Sequence, residues 1–546
     1  MTDSSTSVAG AFFQAAREFS ERPFLHLVAD TASRYGQSAT TFSYANGVSE
    51  VTRLVEHYRL LSVQRGQRVA IGLDNRPEFF FHWLALNCLG VSVVPLNPQW
   101  QSAELEYVIE HSETMLAVVL PEYVVRLQDA AQTGNNRCEV MSVDQIAAFE
   151  TTDKETAEEA KNTLPEPLGQ LDHECALLYT SGTTGRPKGC QLSNEYFLSS
   201  GAWYKSLGGY CALQSGQDRL ITPLPMYHMN AMATSTMAMI MTGSCIVPLD
   251  RFHPRSWWQS IAECDATIMH YLGVMPAMLM GMSASADDST HNIRFGFGAG
   301  LSGELHTAFE ERFDIHLIEA WAMTETGCTV AVIASEEPRK VGTACFGRPP
   351  RHLDYQLVND AGQAVTQGQP GELLVRRAGP APRLGFFSGY LKDQHATDEA
   401  WKGGYFHTGD LVYLDDDGLM HFVDRKKNVI RRSGENISAV EVEEIIMELD
   451  GVHGVGVAAV PDELRGDEVF ACVMLNEPAT IEAAQIVRHC LSRLAYYKAP
   501  GYITFVQELP LTPTEKIQRA RLKELAQEKL QVNDCEDMRE MKSNRG

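Results

Sequence analysis

The chain has 546 residues, a formal net charge of −24 at pH 7, 44% hydrophobic and 21% charged residues. That length exceeds one ordinary hydrophobic core, so two or more domains are predicted, and the acidic excess argues against a nucleic-acid partner, which selects a basic face. Its twelve Cys stand as singles with no CxxC pair, the pattern of reduced, buried thiols in a cytoplasmic protein rather than of disulfides or zinc.

Residues Met1 to Gly10 are polar and small, without the basic flank and apolar core of a secretory signal. No run of about 18 apolar residues follows, so no transmembrane segment is predicted. Residues 11–60 carry amphipathic helical periodicity, as in Phe12-Phe13-Gln14-Ala15-Ala16-Arg17. Thr41–Tyr44 reads as a short strand ahead of a helix through Val51, Leu54, Val55 and Tyr58. Arg68–Leu73 is a strand, Arg76-Pro77-Glu78 opens a helix through Phe81, Trp83, Leu84 and Leu86, and Val91–Leu96 is the next strand. This alternation predicts a parallel sheet with crossover helices. Residues 150–172 are polar and charged and read as a solvated segment.

A short buried strand, Ala176–Tyr179, then leads into Thr180-Ser181-Gly182-Thr183-Thr184-Gly185-Arg186-Pro187-Lys188-Gly189. Three glycines, four hydroxyl residues and two cations fall within those ten positions. Glycines bring backbone N–H groups close to an anion, hydroxyls add donors that rotate to suit phosphate oxygens, and the cations add charge. The combination suits a triphosphate, although Gly, Ser and Thr also cluster in plain surface loops. It is not the GxxxxGK[ST] loop, because Lys188 is not followed by Ser or Thr and no long helix opens there.

This stretch resembles the signature loop of the adenylate-forming superfamily: acyl-CoA synthetases, peptide-synthetase adenylation domains and luciferases. The resemblance implies activation of a carboxylate with ATP, release of pyrophosphate and transfer of the acyl group to a thiol. On it, Thr180, Ser181, Gly182, Thr183, Thr184 and Lys188 bind the phosphates. Further along, Tyr227-His228 matches the family's aromatic–His pair, placing His228 at the mouth of the acyl pocket; a lone His is also often a hydrogen-bonded structural residue. Met232, Met237, Met239 and Met241 read as a helix core, with some lining the acyl pocket. Gly298-Ala299-Gly300 stands where the family packs Gly-Ala-Pro against adenine, with Gly300 replacing the Pro.

Trp321-Ala322-Met323-Thr324-Glu325 resembles aromatic-Gly-x-Thr-Glu. Thr324 would supply a hydroxyl near the α-phosphate and Glu325 a carboxylate for Mg²⁺, a hard cation that shares few carboxylates with substrate phosphates. Trp321 would stack beside adenine and wall the acyl pocket. Thr408-Gly409-Asp410 matches the family's Thr-Gly-Asp, so Asp410 would accept hydrogen bonds from the ribose hydroxyls. The run Asp415-Asp416-Asp417-Gly418 reads as a plain hairpin turn rather than a metal site.

The joint between domains falls in Phe422–Ile430, where Arg425 would contact ribose and Lys427 would be the hinge. The fold expected is α/β: a large N-terminal domain of layered sheets with crossover helices, residues 1–425, and a small mobile α+β domain, residues 426–546. In the family, the loop Arg432-Ser433-Gly434-Glu435-Asn436-Ile437-Ser438 faces the active site after the small domain rotates, and Gly434 helps form the pantetheine tunnel. A helix Val440–Met447, strands Gly454–Val460 (ended by Pro461) and Val469–Leu475, and a helix over 480–494 complete that domain. Leu511–Arg519 resembles Pro-x-Thr-x-x-Gly-Lys-Ile, with Lys516 as the lysine that bridges carboxylate and α-phosphate and Glu515 in place of Gly. The tail after Ala526 reads as frayed.

The resemblance covers roughly residues 40 to 520 and implies a carboxylate–CoA ligase using ATP, Mg²⁺ and coenzyme A on a small carboxylic acid. VDRKKNVIRRSGENIS and HYLGVMPAMLM look most like the crotonobetaine/carnitine–CoA ligase branch. A free-standing adenylation enzyme loading a carrier protein, and a non-catalytic nucleotide-binding relative, are the alternatives. The sequence leaves the acid's identity open, and the choice between monomer and homodimer as well.

Overall fold

The structure is a computed structural model, which describes residues 5–133, 138–148, 165–180, 187–285, 288–301, 303–359, 361–425, 430–437, 439–476, 480–510, 517 and 519–543. Among the described residues the chain forms four sheets. The first is built by the alternation that the N-terminal sequence predicts. Strands Arg68–Gly72, Ser92–Pro95, Leu116–Val119 and Glu139–Ser142 run parallel and are joined by helices such as Pro77–Cys88 and Ser102–Ser112. Pro77 opens its helix at the first turn, where a missing N–H leaves nothing unsatisfied.

Strand Glu174–Thr180 pairs parallel to Ser92–Pro95 and antiparallel to Lys188–Ser193, with Thr180 opposite Lys188. The signature stretch is thus the connection of a hairpin, consistent with the absence of a helix pattern after it.

A second sheet orders Gly327–Ile333, His316–Met323, Phe295–Ala299, Ile268–Leu272, Arg219–Thr222, Cys245–Pro248, Pro23–Leu27 and Thr40–Ser43. Helix Tyr44–Leu60 is started by a reciprocal cap between Ser43 and Asn46. A smaller antiparallel sheet holds Phe406–Leu414, whose turn at Asp415 is closed by that side chain accepting from the Asp417 and Leu419 amides. One apolar core runs from Val8 to Met420. Asn230–Ser235 forms a π turn ahead of the helix Thr236–Thr242. Met232, Met237 and Met239 are fully buried there and belong to the core, and neither they nor Met241 are among the residues lining the cleft described below.

The C-terminal sheet has its own apolar core, from Ile430 to Ile503. Two expectations change here. Pro461 does not end its strand, which runs Val452–Asp462. Among the described residues that strand pairs on one side only, with Gly466–Leu475, and an edge tolerates a residue with no N–H to donate. The tail is not frayed either. Helix Arg539–Ser543 places Lys542 against Glu468 at 2.5 Å, and Arg432 donates to the same carboxylate at 2.8 Å. All three side chains are buried.

Candidate functional site

A cleft of about 1080 Å³ lies where the two cores meet. Thr180 and Lys188, the two ends of the signature stretch, line it. Lys188 sits 4.7 Å from the Tyr390 ring centroid and 4.0 Å from Asp393. Thr324 and Glu325 occupy the tip of the hairpin between His316–Met323 and Gly327–Ile333. The Glu325 carboxylate is nearly buried and accepts from the Tyr390 hydroxyl at 3.0 Å. Tyr390 therefore ties the signature lysine to the hairpin glutamate, and burial together with Glu325 pushes its phenol well above the usual range.

Gly298, Ala299 and Gly300 line the cleft from the end of their strand. Their backbone lies close to the neighbouring strand end: a Cβ on Gly298 would fall 2.3 Å from the Tyr271 carbonyl oxygen, and Gly300 has φ +88°. Buried Glu319 fixes the turn, accepting from the Tyr271 hydroxyl at 3.0 Å and from the Gly300 amide at 3.2 Å. Burial raises the Glu319 carboxyl despite these donors.

Asp410 is buried at the centre of its strand, with Arg425 opposite it in register. Its carboxylate accepts from the Trp321 indole N–H at 2.9 Å, and its amide donates to Thr408 Oγ1 at 3.0 Å. Trp321 departs from its expectation. Strand alternation gives the cleft wall to Ala320 and Ala322, and Trp321 points to the other face, toward Phe346, and is not among the lining residues.

The small domain reaches into the mouth. A Cβ on Gly434 (φ +87°) would fall 2.2 Å from Leu272 Cδ1. Glu435 lies 3.4 Å from His228 Nε2 and accepts from the Tyr227 hydroxyl at 3.4 Å. Burial raises the Glu435 carboxyl, but His228, Lys498 and the Tyr227 hydrogen bond outweigh it and hold the group below its ordinary value. Behind this contact, Asn97 donates to the Tyr497 hydroxyl at 3.1 Å, and buried Lys498 bridges Glu104 and Glu441. Ser181, Gly182, Thr183, Thr184, Lys427, Glu515 and Lys516 lie outside the described residues, as does the side chain of Arg425.

The model of the AMP-binding enzyme family matches residues 12–391, and that of the AMP-binding enzyme C-terminal domain matches residues 441–516. The chain belongs to the AMP-binding enzyme family. It is similar to the crotonobetaine/carnitine–CoA ligase of Salmonella arizonae, at 30% identity over 88% of this chain and 93% of the relative. Its fold is like that of the o-succinylbenzoate CoA synthetase of Bacillus subtilis, with a TM-score of 0.79 and 24% identity over 94% of this chain and 98% of that one. It is also like that of ATP-bound MatB from Rhodopseudomonas palustris, with a TM-score of 0.66 and 24% identity over 95% and 98%.

Within this AMP-binding enzyme, Tyr390, Glu435, Asn230 and the Lys498 bridge were not singled out by sequence reasoning. Glu435 sits inside a quoted loop, so its position was marked although its partner was not. Tyr390 carried no such signal. No helix among the described residues is long and apolar enough to cross a membrane.

Proposed function

We propose that this AMP-binding enzyme is an ATP-dependent carboxylate–CoA ligase that forms an acyl-adenylate and then an acyl-CoA thioester, in the cytoplasm. One observation carries the reading. Thr180, Lys188, Thr324, Glu325, Thr408 and Gly409 converge on one cleft, and Gly434 of the small domain lines the same cleft. The division at 425/426 is supported by the separate apolar cores on either side of it.

In the first step the substrate carboxylate attacks the α-phosphorus of ATP in line and pyrophosphate leaves. Lys188 and the hydroxyl groups of Thr180, Ser181, Thr183 and Thr184 hold the departing phosphates, and Thr324 donates to the α-phosphate. Lys516 offsets the charge that builds as one anion approaches another. The nearly buried Glu325 carboxylate, with one oxygen held by Tyr390, suits Mg²⁺, which takes one or two carboxylates and completes its shell with phosphate and water; when bound, the ion would neutralise charge on the phosphates. Asp410, with Arg425, positions the ribose.

In the second step the CoA thiol attacks the acyl carbonyl and AMP leaves. The docked Gly434–Glu435 loop and the Lys498 bridge support the view that the small domain is poised here for this step, with His228 at the entrance. Lys427, as the hinge, would carry it back to the adenylating pose.

The test is pyrophosphate release and acyl-CoA formation with ATP, Mg²⁺ and CoA across short and medium fatty acids, aryl acids and betaines. Stoichiometric acyl-CoA, AMP and pyrophosphate with one class of acid is the expected result. Tight ATP binding without pyrophosphate from any acid would overturn it.

A further inference from the structure

Part of the cleft is lined by Trp203, Asn230, Thr234, Phe297, Cys328 and Ala331, which are linked by the Thr234–Cys328 contact and the Trp203–Phe297 ring contact. Four of these, Thr234, Phe297, Cys328 and Ala331, are buried, and none of the six is ionised. No carboxylate hydrogen-bonds to any of the six among the described residues, and buried Glu319 is engaged by Tyr271 and the Gly300 amide and does not line the cleft.

A fixed polar relay stands behind Asn230. His270 is fully buried on the strand Ile268–Leu272. Its Nε2 lies 3.1 Å from the Tyr204 hydroxyl, and its Nδ1 lies 2.7 Å from Asn230 Oδ1 and 2.9 Å from Ser235 Oγ. Tyr204 is also fully buried, and Nε2 is the one acceptor for its O–H among the described residues. A buried hydroxyl must donate, so Nε2 accepts and Nδ1 carries the hydrogen. Ser235 Oγ donates to the Asn230 backbone carbonyl at 2.9 Å and so can accept from Nδ1. Burial lowers His270 to about 3, so the imidazole is neutral and this tautomer holds at any working pH.

The relay fixes which way the Asn230 amide points. Its oxygen faces the Nδ1–H, so its NH₂ group is turned away from His270. Asn230 is half-buried, lines the cleft, and its two amide hydrogens have no acceptor among the described residues. A donor pair held in place beside buried walls discriminates strongly, because a ligand without an acceptor leaves it unpaired.

We infer that this part of the cleft takes the acyl tail and selects a carboxylate whose uncharged tail carries a hydrogen-bond acceptor (a carbonyl, hydroxyl or ether oxygen), with Asn230 as the donor and His270 as its positioning residue. The inference rests on the ligase reading above. It sets this chain apart from a binder of quaternary ammonium groups, which needs an acidic partner or open aromatic faces. Phe297 is already in ring contact with His270 at 4.7 Å, Tyr204 at 5.2 Å and Trp203 at 6.2 Å.

The experiment measures kcat/KM for pyrophosphate release with matched acids: straight-chain acids, the same acids with one oxo group moved along the tail, and a trimethylammonium acid of equal length. At least one oxo acid is expected to exceed its parent about tenfold, the worth of one hydrogen bond. That ratio should fall toward unity in Asn230→Ala and in His270→Phe, which keeps a ring but loses the Nδ1–H. Because each variant is judged by a ratio of two substrates, partial unfolding does not imitate the effect. Parent acids preferred throughout, a trimethylammonium acid as the best substrate, or a ratio unchanged in either variant would overturn the inference while leaving the ligase reading intact. No pyrophosphate from any acid would overturn the ligase reading and the inference with it.

Discussion

Lys498 and Glu104 meet at 2.6 Å across the two domains, and both side chains are almost wholly buried. Glu441, 2.8 Å from the same ammonium, belongs to the small domain, so Glu104 is the large domain's share of the bridge. The charges of Glu441 and Glu104 outweigh burial and raise the Lys498 ammonium above its ordinary value. The small-domain rotation proposed above would have to take this bridge apart. The Glu104→Gln variant keeps the cap on its own helix, since Gln serves at that position of a capping box, but removes the charge. Breaking one arm of a buried pair costs about 3 kcal/mol, which weakens the docked pose. Acyl-CoA formation from supplied acyl-adenylate should slow at least about tenfold, with adenylate formation spared. Equal loss of both half-reactions would show that Glu104 acts on stability alone.

Gly434 has a backbone that L side chains avoid. Gly434→Ala should cost about 1–2 kcal/mol in this conformation, while the Leu272 methyl it meets can swing aside. The expected result is about a tenfold loss in the thiol step at saturating CoA with pyrophosphate release unchanged, read by single-turnover assays of each half-reaction.

Lys516→Ala should cripple adenylate formation and spare thioester formation from added acyl-adenylate. Lys427→Pro should do the reverse by blocking rotation. Assaying the two half-reactions separately on both variants decides between these roles, and matching defects would sink the assignment.

Trp321 donates to Asp410, so Trp321→Phe takes a donor from a buried carboxylate. Thermal unfolding should show a loss of about 1–2 kcal/mol. KM for ATP should rise several-fold with little change in kcat, because a loosened Asp410 no longer presents itself to ribose. An unchanged KM would separate the pair from nucleotide binding.

Lys542 gives a pH signature. Burial, opposed by Glu468 and reinforced by Arg432, lowers it to about 7 from 10.5. Between those values the unfolded chain holds a proton that the folded chain lacks, so stability attributable to this group rises with pH across the window, by at most about 1.4 kcal/mol per unit. Below about 7 both states are protonated and the slope vanishes. Denaturant titrations of Lys542→Met from pH 6 to 10 should lack that rise.

The N-terminal alternation was legible because parallel strands buried on both faces read as continuous apolar runs between amphipathic helices. The family was legible because its motifs restrict residue types over short local stretches. What escaped depends on chain crossings that no local pattern encodes. His228 meets Glu435 from 207 positions away, and Lys498 meets Glu104 from 394. Trp321 shows the limit within a motif: its residue type suggested a pocket wall, but the two-residue period of its strand set its direction. The tail misled because its charge suggested solvent, when Glu468 provides a buried partner for one of its lysines.

The π turn at Asn230–Ser235 carries one residue more than an α-helical path through the same space. Deleting a single residue there would restore the ordinary repeat and re-phase the side chains inside the turn, and with them the Asn230–Ser235–His270 contacts, ahead of the helix Thr236–Thr242. The scaffold beyond Thr236 would stay seated. A change of substrate is therefore within reach of a one-codon deletion, and relatives that differ in length at this turn need not share an acid even where every flanking residue aligns.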